Sequence, residues 1–426
     1  MASDTTGRVR SQAPTRTRHV VLGLTLLLTA VAYLDRVCIS TASFAIQKEL
    51  RLSDAQLGYV FSAFTFAYAL FEIPSGWLAD RFGPRLMLTR IVLWWSAMTA
   101  ATGLAWSFTS LFAIRLLFGM GEAGAFPGLA RAYAHWLPSR DRGRAFGLAV
   151  MTGVLGGAAT QPLVVALLRT MSWRRTFVIF GFVGLAWAVG WFAWFRDDPR
   201  QHPHVNEAEL RLIGHGAPFS PRAVPWGSLF RSRSLAGLCL MYGGTIYGWY
   251  FYLTWLPQYL RRARGFELRQ VGWLSALPLL SIAVGVLAGG WISDALTRRC
   301  GPRVGRRVTG LVGLPLASVA TLTAILTPSP QVAAVSLSLA AGLSALAVAP
   351  AWAACLEIGG GHAGVVTGAM NSFGNLGGAL SPVVVGLCLQ RWDNWNGPLV
   401  TVAIFYLLAA ACWLAIDAGQ PIPGAS

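Results

Sequence analysis

Long apolar stretches alternate with short polar ones along the whole chain. Twelve apolar runs are long enough to cross a bilayer, which takes about 20 helical residues. They centre near residues 31, 68, 97, 121, 155, 184, 247, 282, 317, 341, 376 and 408. The longest polar stretch, Arg196 to Arg233, divides them six and six. It holds Asp197-Asp198-Pro199, His202-Pro203-His204 and Pro218 to Pro225, a pattern that predicts a linker with one short amphipathic helix. The expected architecture is an all-α membrane protein of twelve transmembrane helices in two pseudo-symmetric six-helix bundles. The bundles span 20–195 and 234–418, with a tail over 1–19, a linker over 196–233 and a second tail over 419–426.

Composition agrees. The 426 residues are 55% hydrophobic and 12% charged, with mean hydropathy +0.54, against about 25% charged in soluble domains. A chain this apolar needs the bilayer as its solvent. The net charge of +17 would suit nucleic acid, but here it is divided among short loops between apolar runs, so no nucleic-acid partner is expected. The six cysteines are scattered with no C-x-x-C pair, and read as small apolar filler. The six histidines fall at span ends or in loops. The run after His19 is too long for a signal-peptide core and reads as a retained first span.

The two halves carry a repeat. Gly76-Trp77-Leu78-Ala79-Asp80, then Arg81-Phe82-Gly83-Pro84-Arg85, is echoed by Gly290-Trp291-Ile292-Ser293-Asp294, then Arg298, Arg299, Gly301, Pro302 and Arg303. Both copies close an apolar run and open a basic loop, as an internal duplication of a transporter would. Loops on the side of the N-terminus hold 22 basic residues and those on the other side 10, with Arg36 and Arg115 inside spans. That bias predicts a multi-pass protein of the cell inner membrane with both termini cytoplasmic. The basic loop of Arg261, Arg262, Arg264 and Arg269 departs from the bias and reads as a solvated loop or an outer funnel for anions.

Four charges lie deep in the first half: Asp35 and Arg36 in span 1, Arg115 and Glu122 in span 4. A charge at bilayer depth costs at least about 2.5–3.5 kcal/mol and needs a partner, water or a function. Arg115 and Glu122 are two turns apart on one face, about 10.5 Å along the axis. Span 1 can supply Asp35 for Arg115 and Arg36 for Glu122. The pairing supports two readings. It is either a set of structural salt bridges, or a switch in which protonating Glu122 frees Arg36 for a substrate carboxylate. Glu72 near the end of span 2 is expected to make a structural or gate contact or to assist coupling. Glu357 and Asp417, at span ends, are expected to be solvated.

The motif Gly76-x-Leu78-x-Asp80-Arg81-x-Gly83-x-Arg85 resembles the loop motif of the major facilitator superfamily. Further segments resemble its anion:cation symporter branch, which includes galactonate, hexuronate and other sugar-acid transporters. These are Tyr33-Leu34-Asp35-Arg36, Arg115-x-x-x-Gly119-x-Gly121-Glu122-Ala123-x-x-x-Pro127, Trp173-Arg174-x-x-Phe177, Glu207-x-Glu209-Leu210, Thr254-Trp255-Leu256-Pro257-x-Tyr259-Leu260 and Gly374-Asn375-Leu376-Gly377-Gly378. The resemblance implies proton-coupled uptake of an organic carboxylate anion, a sugar acid first, by a monomer that uses no cofactor. Sodium remains an alternative coupling ion. By the same resemblance Arg36, Tyr33 and Tyr68 contact substrate, Glu122, Asp35 and Arg115 serve coupling, and Asp80 with Arg81 latches a gate. Arg85, Asp294 and Glu72 are candidate gate residues too. In the second half Tyr242, Tyr247, Trp352, Asn371, Ser372 and Asn375 are candidates to bond or stack on the rest of the substrate, or else to pack and glue helices.

Several sugar-acid members carry Gln near Tyr242, so this pocket is more aromatic, which keeps aromatic acids and dicarboxylates in play. An exporter or exchanger on the same fold and a membrane sensor are the other classes, but the linker and tails are too short for a signalling domain. Gly119-Met120-Gly121-Glu122-Ala123-Gly124 satisfies G-x-G-x-x-G, yet it sits inside an apolar span without the strand a dinucleotide site requires. No nucleophile–base set or metal spacing supports an enzyme.

Overall fold

The computed structural model describes residues 13–214 and 226–423, without the side chains of residues 73, 76, 77, 79, 80, 139, 140 and 361. Helix dominates because a bilayer offers no partner for backbone N–H and C=O groups, so each segment must satisfy its own. In the first half α1 (Thr17–Leu50), α2 (Asp54–Thr102), α3 (Phe108–Glu122), α4 (Ala125–Trp136), α5 (Ser139–Leu168) and α6 (Trp173–Trp194) follow one another. The linker contributes α7 (Glu207–Ile213) and α8 (Trp226–Arg231). The second half opens with α9 (Arg233–Tyr250), which continues through π-helical turns at Phe251–Trp255 and Tyr259–Ala263 on either side of α10 (Leu256–Gln258). It ends with α11 (Leu268–Leu326), α12 (Pro330–Ala345), α13 (Val348–Gly359), α14 (Ala363–Trp392) and α15 (Asn396–Cys412). Every expected span centre falls in one of these helices.

The two longest helices fold back on themselves at the repeated motif. α2 turns at Gly83 (φ 74°, ψ 159°) and α11 at Gly301 (φ 80°, ψ 165°). This region of backbone space is open essentially to glycine alone. A Pro follows each glycine and helps to start the returning arm. The duplication seen in the sequence is thus a duplication of backbone geometry.

One core cluster belongs to the first half alone, built around Trp95, Trp136, Trp191 and Phe195. A second joins the halves. The halves meet where α2 packs on α14, α5 on α11, and α1 on the π-helical segment after α9. Large apolar side chains such as Phe182, Val189 and Leu326 point outward, as a lipid-facing surface requires.

The linker is less free than its composition suggests. The Glu209 carboxylate is fully buried and accepts from Thr15 Oγ1 (2.5 Å), the backbone N–H of Thr17 (3.3 Å) and of Arg18 (3.0 Å), and Arg18 Nη1 (3.1 Å). It thereby caps the first turn of α1, whose N–H groups have no partner within the helix. His202 packs edge-on against Trp136 and Trp194. The stretch Pro218 to Pro225 lies outside the described residues.

Candidate functional site

Arg36 sits midway along α1 and Glu122 is the last residue of α3, where a break at Ala123 and Gly124 separates α3 from α4. Arg36 Nε donates to Glu122 Oε1 at 2.6 Å, and the Glu122 side chain is fully buried. The guanidinium carbon stands 5.4, 5.2 and 4.7 Å from the ring centroids of Tyr33, Phe64 and Tyr68. Each contact is worth about 0.5–2 kcal/mol, more where water is excluded. The pair is only half satisfied: Arg36 Nη2 and Glu122 Oε2 are buried without a hydrogen-bond partner. A purely structural ion pair at this depth would be expected to saturate both groups.

Arg115 follows a different course from the sequence expectation. Both Asp35 oxygens and Arg115 Nε lack hydrogen-bond partners, so the expected Asp35–Arg115 bridge is not made. Arg115 lies instead over Phe118 (4.5 Å) and Phe64 (5.1 Å). Phe64 therefore contacts both guanidiniums. Asp35 and Arg36 are about 100° apart around one helix, and of the two it is Arg36 that forms an ion pair with α3. Three buried charged groups with unused donors or acceptors share this part of the first half, beside Arg36.

The second half supplies the facing wall. Tyr250 lies within electrostatic reach of Arg36. Tyr242 accepts from Trp352 Nε1 at 3.3 Å, their rings edge-on at 6.2 Å. Both tyrosines pack onto α14, where a Cβ at Gly374 or Gly378 would strike the Tyr242 or Tyr250 ring. Asn371 Nδ2 donates to Glu72 Oε1 at 2.7 Å and Asn375 Nδ2 to Glu72 Oε2 at 3.5 Å. These bonds join α14 of one half to α2 of the other. Ser372 Oγ is buried without a partner. Tyr247 takes the packing alternative: its ring stacks on Phe405 at 4.0 Å and its hydroxyl meets Thr401 at 2.8 Å, so it packs on α15, whereas Tyr242 and Tyr250 pack on α14. Phe64 and Tyr250 were missed in the sequence, where nothing distinguishes them from the other rings of an aromatic-rich chain.

Comparison with known proteins identifies the family. A profile of the Major Facilitator Superfamily matches residues 25–382 and 245–424. The chain belongs to the Major Facilitator Superfamily. It is 39% identical over 394 residues to the "Probable sulfoacetate transporter SauU" of Cupriavidus necator, covering 90% of each chain. It is 31% identical to the "Probable galactarate/D-glucarate transporter GudP" of Bacillus subtilis, over 94% of this chain and 92% of the relative. A bacterial homolog to the human lysosomal transporter Spinster shares the fold, with TM-score 0.78 at 22% identity, over 94% of this chain and 97% of that one. The superfamily and these relatives are membrane transporters, and the chain is a transporter rather than an enzyme.

The superfamily's repeated loops are tied within their own halves. Arg85 donates to the Phe192 carbonyl through Nε (3.0 Å) and Nη2 (2.8 Å), and its backbone N–H donates to Asp197 Oδ1 (2.8 Å). Arg81 is exposed, 5.7 Å from the Phe82 ring. The Asp80 side chain lies outside the described residues. In the second copy Arg306 bridges Asp294 (2.5 Å) and Glu357 (2.7 Å). Glu357 is therefore paired rather than solvated, and Asp417 pairs with Arg303 at 3.2 Å. At the opposite end, Arg262 crosses between halves to both oxygens of Asp54 (2.6 and 3.0 Å). Arg264 bonds the Thr327 carbonyl (3.0 Å) and the Ala324 carbonyl, so this basic loop is engaged, not simply solvated.

Proposed function

We propose that the protein takes up a small organic anion, carrying a carboxylate or a sulfonate, together with a proton by alternating access across the cell inner membrane, with both termini in the cytoplasm. The observation that supports this most is the half-satisfied pair of Arg36 and Glu122, buried beside the rings of Tyr33, Phe64 and Tyr68. Arg36 offers a planar fork suited to an anion. Ionised Glu122 holds one arm of it. Protonation of Glu122 releases that arm, and the anion takes the whole fork. A monoanion and the proton then travel as a neutral set, which lowers the cost of moving charge through the low-dielectric interior, whereas a dianion carries one net negative charge per proton. Tyr33, Phe64, Tyr68 and Tyr250 line the anchor, while Tyr242, Trp352 and Asn371 face the rest of the molecule. Glu72 with Asn371 and Asn375 ties the halves and must part or rearrange as they rock.

The names of the relatives supply the substrate class: sulfoacetate, galactarate or D-glucarate, and, for a relative from Escherichia coli at 30% identity over 95% of this chain, D-galactonate. All are compact organic anions. The test is uptake of sulfoacetate, D-galactarate and D-galactonate into proteoliposomes with an imposed pH gradient. Uptake of at least one, accelerated by the gradient and collapsed by a protonophore, is expected. Uptake indifferent to the gradient would remove proton coupling; no uptake of any would remove the substrate class.

A further inference from the structure

A second polar recess lies at the Arg262 end of the molecule, roughly two to three helical turns beyond Arg36 along α1. It is an open surface recess of about 320 Å³ lined by Phe44, Gln47, Lys48, Asp54, Gln258 and Arg262. Three elements build it: the last turns of α1, the first residue of α2 and the π-helical segment after α9. Its charges are two cations and one carboxylate. Asp54 is already used on both oxygens, accepting from Arg262 and from Gln47 Nε2 (2.7 Å). Lys48 has no acidic partner among the described residues, because neighbouring Glu49 accepts from Trp173 Nε1 (2.5 Å) and Arg174 Nε (2.8 Å). Just beside the recess the Arg261 guanidinium lies 4.9 Å over the Phe44 ring.

Gln258 adds a second kind of recognition. It is 1% exposed, and its Nε2 spends both hydrogens on Ser43 Oγ and Gln47 Oε1, each at 3.1 Å. Its Oε1 is left buried with no donor. An unpaired acceptor at this depth costs about 1–3 kcal/mol and calls for an O–H or N–H from a ligand. A free ammonium, a guanidinium that can exchange partners and a bare acceptor together match a carboxylate that carries hydroxyls.

We propose that this recess is an outer docking site for a hydroxylated carboxylate, separate from the central pocket. This rests on the anion-transport reading and extends it. Arg262 serves two masters here. While it holds Asp54 it ties the first half to the second, with Asp393 3.6 Å away on the same guanidinium. A docked carboxylate competes with Asp54 for Arg262 and loosens that tie, so arrival of the anion weakens the seal it must pass.

Lys48 is the chain's only lysine, which makes the site readable by amine acylation followed by peptide mass spectrometry. The full-length protein in phosphatidylcholine nanodiscs is acylated with D-galactonate, hexanoate or chloride at equal ionic strength. D-galactonate at ten times its Kd is expected to slow Lys48 acylation about tenfold, and hexanoate, which lacks the hydroxyls, to protect far less. Equal protection by both acids, or none by D-galactonate, overturns the proposal. So does full protection by phosphatidylglycerol nanodiscs alone, which would make the ligand a lipid headgroup. Protection is expected to survive in Arg36→Ala, where the central anchor is gone. Failed transport with intact protection would count against the transport reading only; normal transport without protection would count against the docking site only.

Discussion

Arg36 holds Glu122 at 2.6 Å through Nε and leaves Nη2 without a partner in the same buried pocket. The arrangement separates the guanidinium's geometry from its charge. Arg36→Lys keeps the charge and loses the fork. A charge-assisted hydrogen bond is worth about 1.5–3 kcal/mol, so the apparent KM for anion uptake is expected to rise roughly ten- to hundredfold in Arg36→Lys. In Arg36→Ala saturable uptake is expected to vanish. Initial-rate uptake in proteoliposomes is the check.

The backbone at Gly83 and Gly301 makes a second expectation. Both lie at positive φ with ψ near 160°, where a side chain costs on the order of 1–3 kcal/mol. Gly83→Ala and Gly301→Ala should each lower the thermal unfolding midpoint in detergent. Asparagine eases ordinary left-handed turns but not this region, so Gly→Asn should be no better than Gly→Ala. Rescue by Asn would contradict the backbone reading.

Glu209 is expected to matter for stability more than its place in the short linker helix α7 suggests. Glu209→Ala leaves the Thr17 and Arg18 backbone N–H groups without their acceptor and removes the ion pair of Arg18, which keeps only the Thr15 carbonyl. A loss of about 1–3 kcal/mol follows. Glu209→Gln keeps a carbonyl acceptor and should lose less. Limited proteolysis near the start of α1 should speed up in the order wild type, Gln, Ala.

The Glu72–Asn371 bond at 2.7 Å ties α2 to α14, and a double-mutant cycle tests it. Glu72→Ala and Asn371→Ala should couple by about 0.5–3 kcal/mol, the range for a side-chain hydrogen bond. Additive effects would mean that the bond carries no net energy across the interface.

Much of this was legible in the sequence for a physical reason. Bilayer thickness sets span length, so the positions of the runs and their division by the linker are legible in apolarity alone, and the repeated loop in its matching Gly, Trp, Asp and Arg residues. The pairing of Arg36 with Glu122 was legible because deep charges are costly and few partners existed. Helical periodicity tells which face of its own helix a residue shares, but not which helix lies opposite. That is why the sequence pairs Asp35 with Arg115 while the structure shows no bond between them, and why it points to Tyr247 while Tyr250, three residues on, approaches Arg36. Glu357 and the basic loop around Arg262 read as solvated because their partners lie on elements distant in the chain. Glu209 was visible only as part of a resemblance, since nothing in its neighbours shows that α1 begins beside it.

The central claim is that Glu122 and the anion compete for Arg36. The most direct measurement is the Kd of the transported anion as a function of pH in wild type and in Glu122→Gln, by calorimetry on the purified protein. In wild type the affinity should fall about tenfold per pH unit once Glu122 is ionised, the slope of a single linked proton. In Glu122→Gln it should stay high and lose that dependence. The same slope in Glu122→Gln, or loss of binding there while Arg36 is intact, would contradict the account.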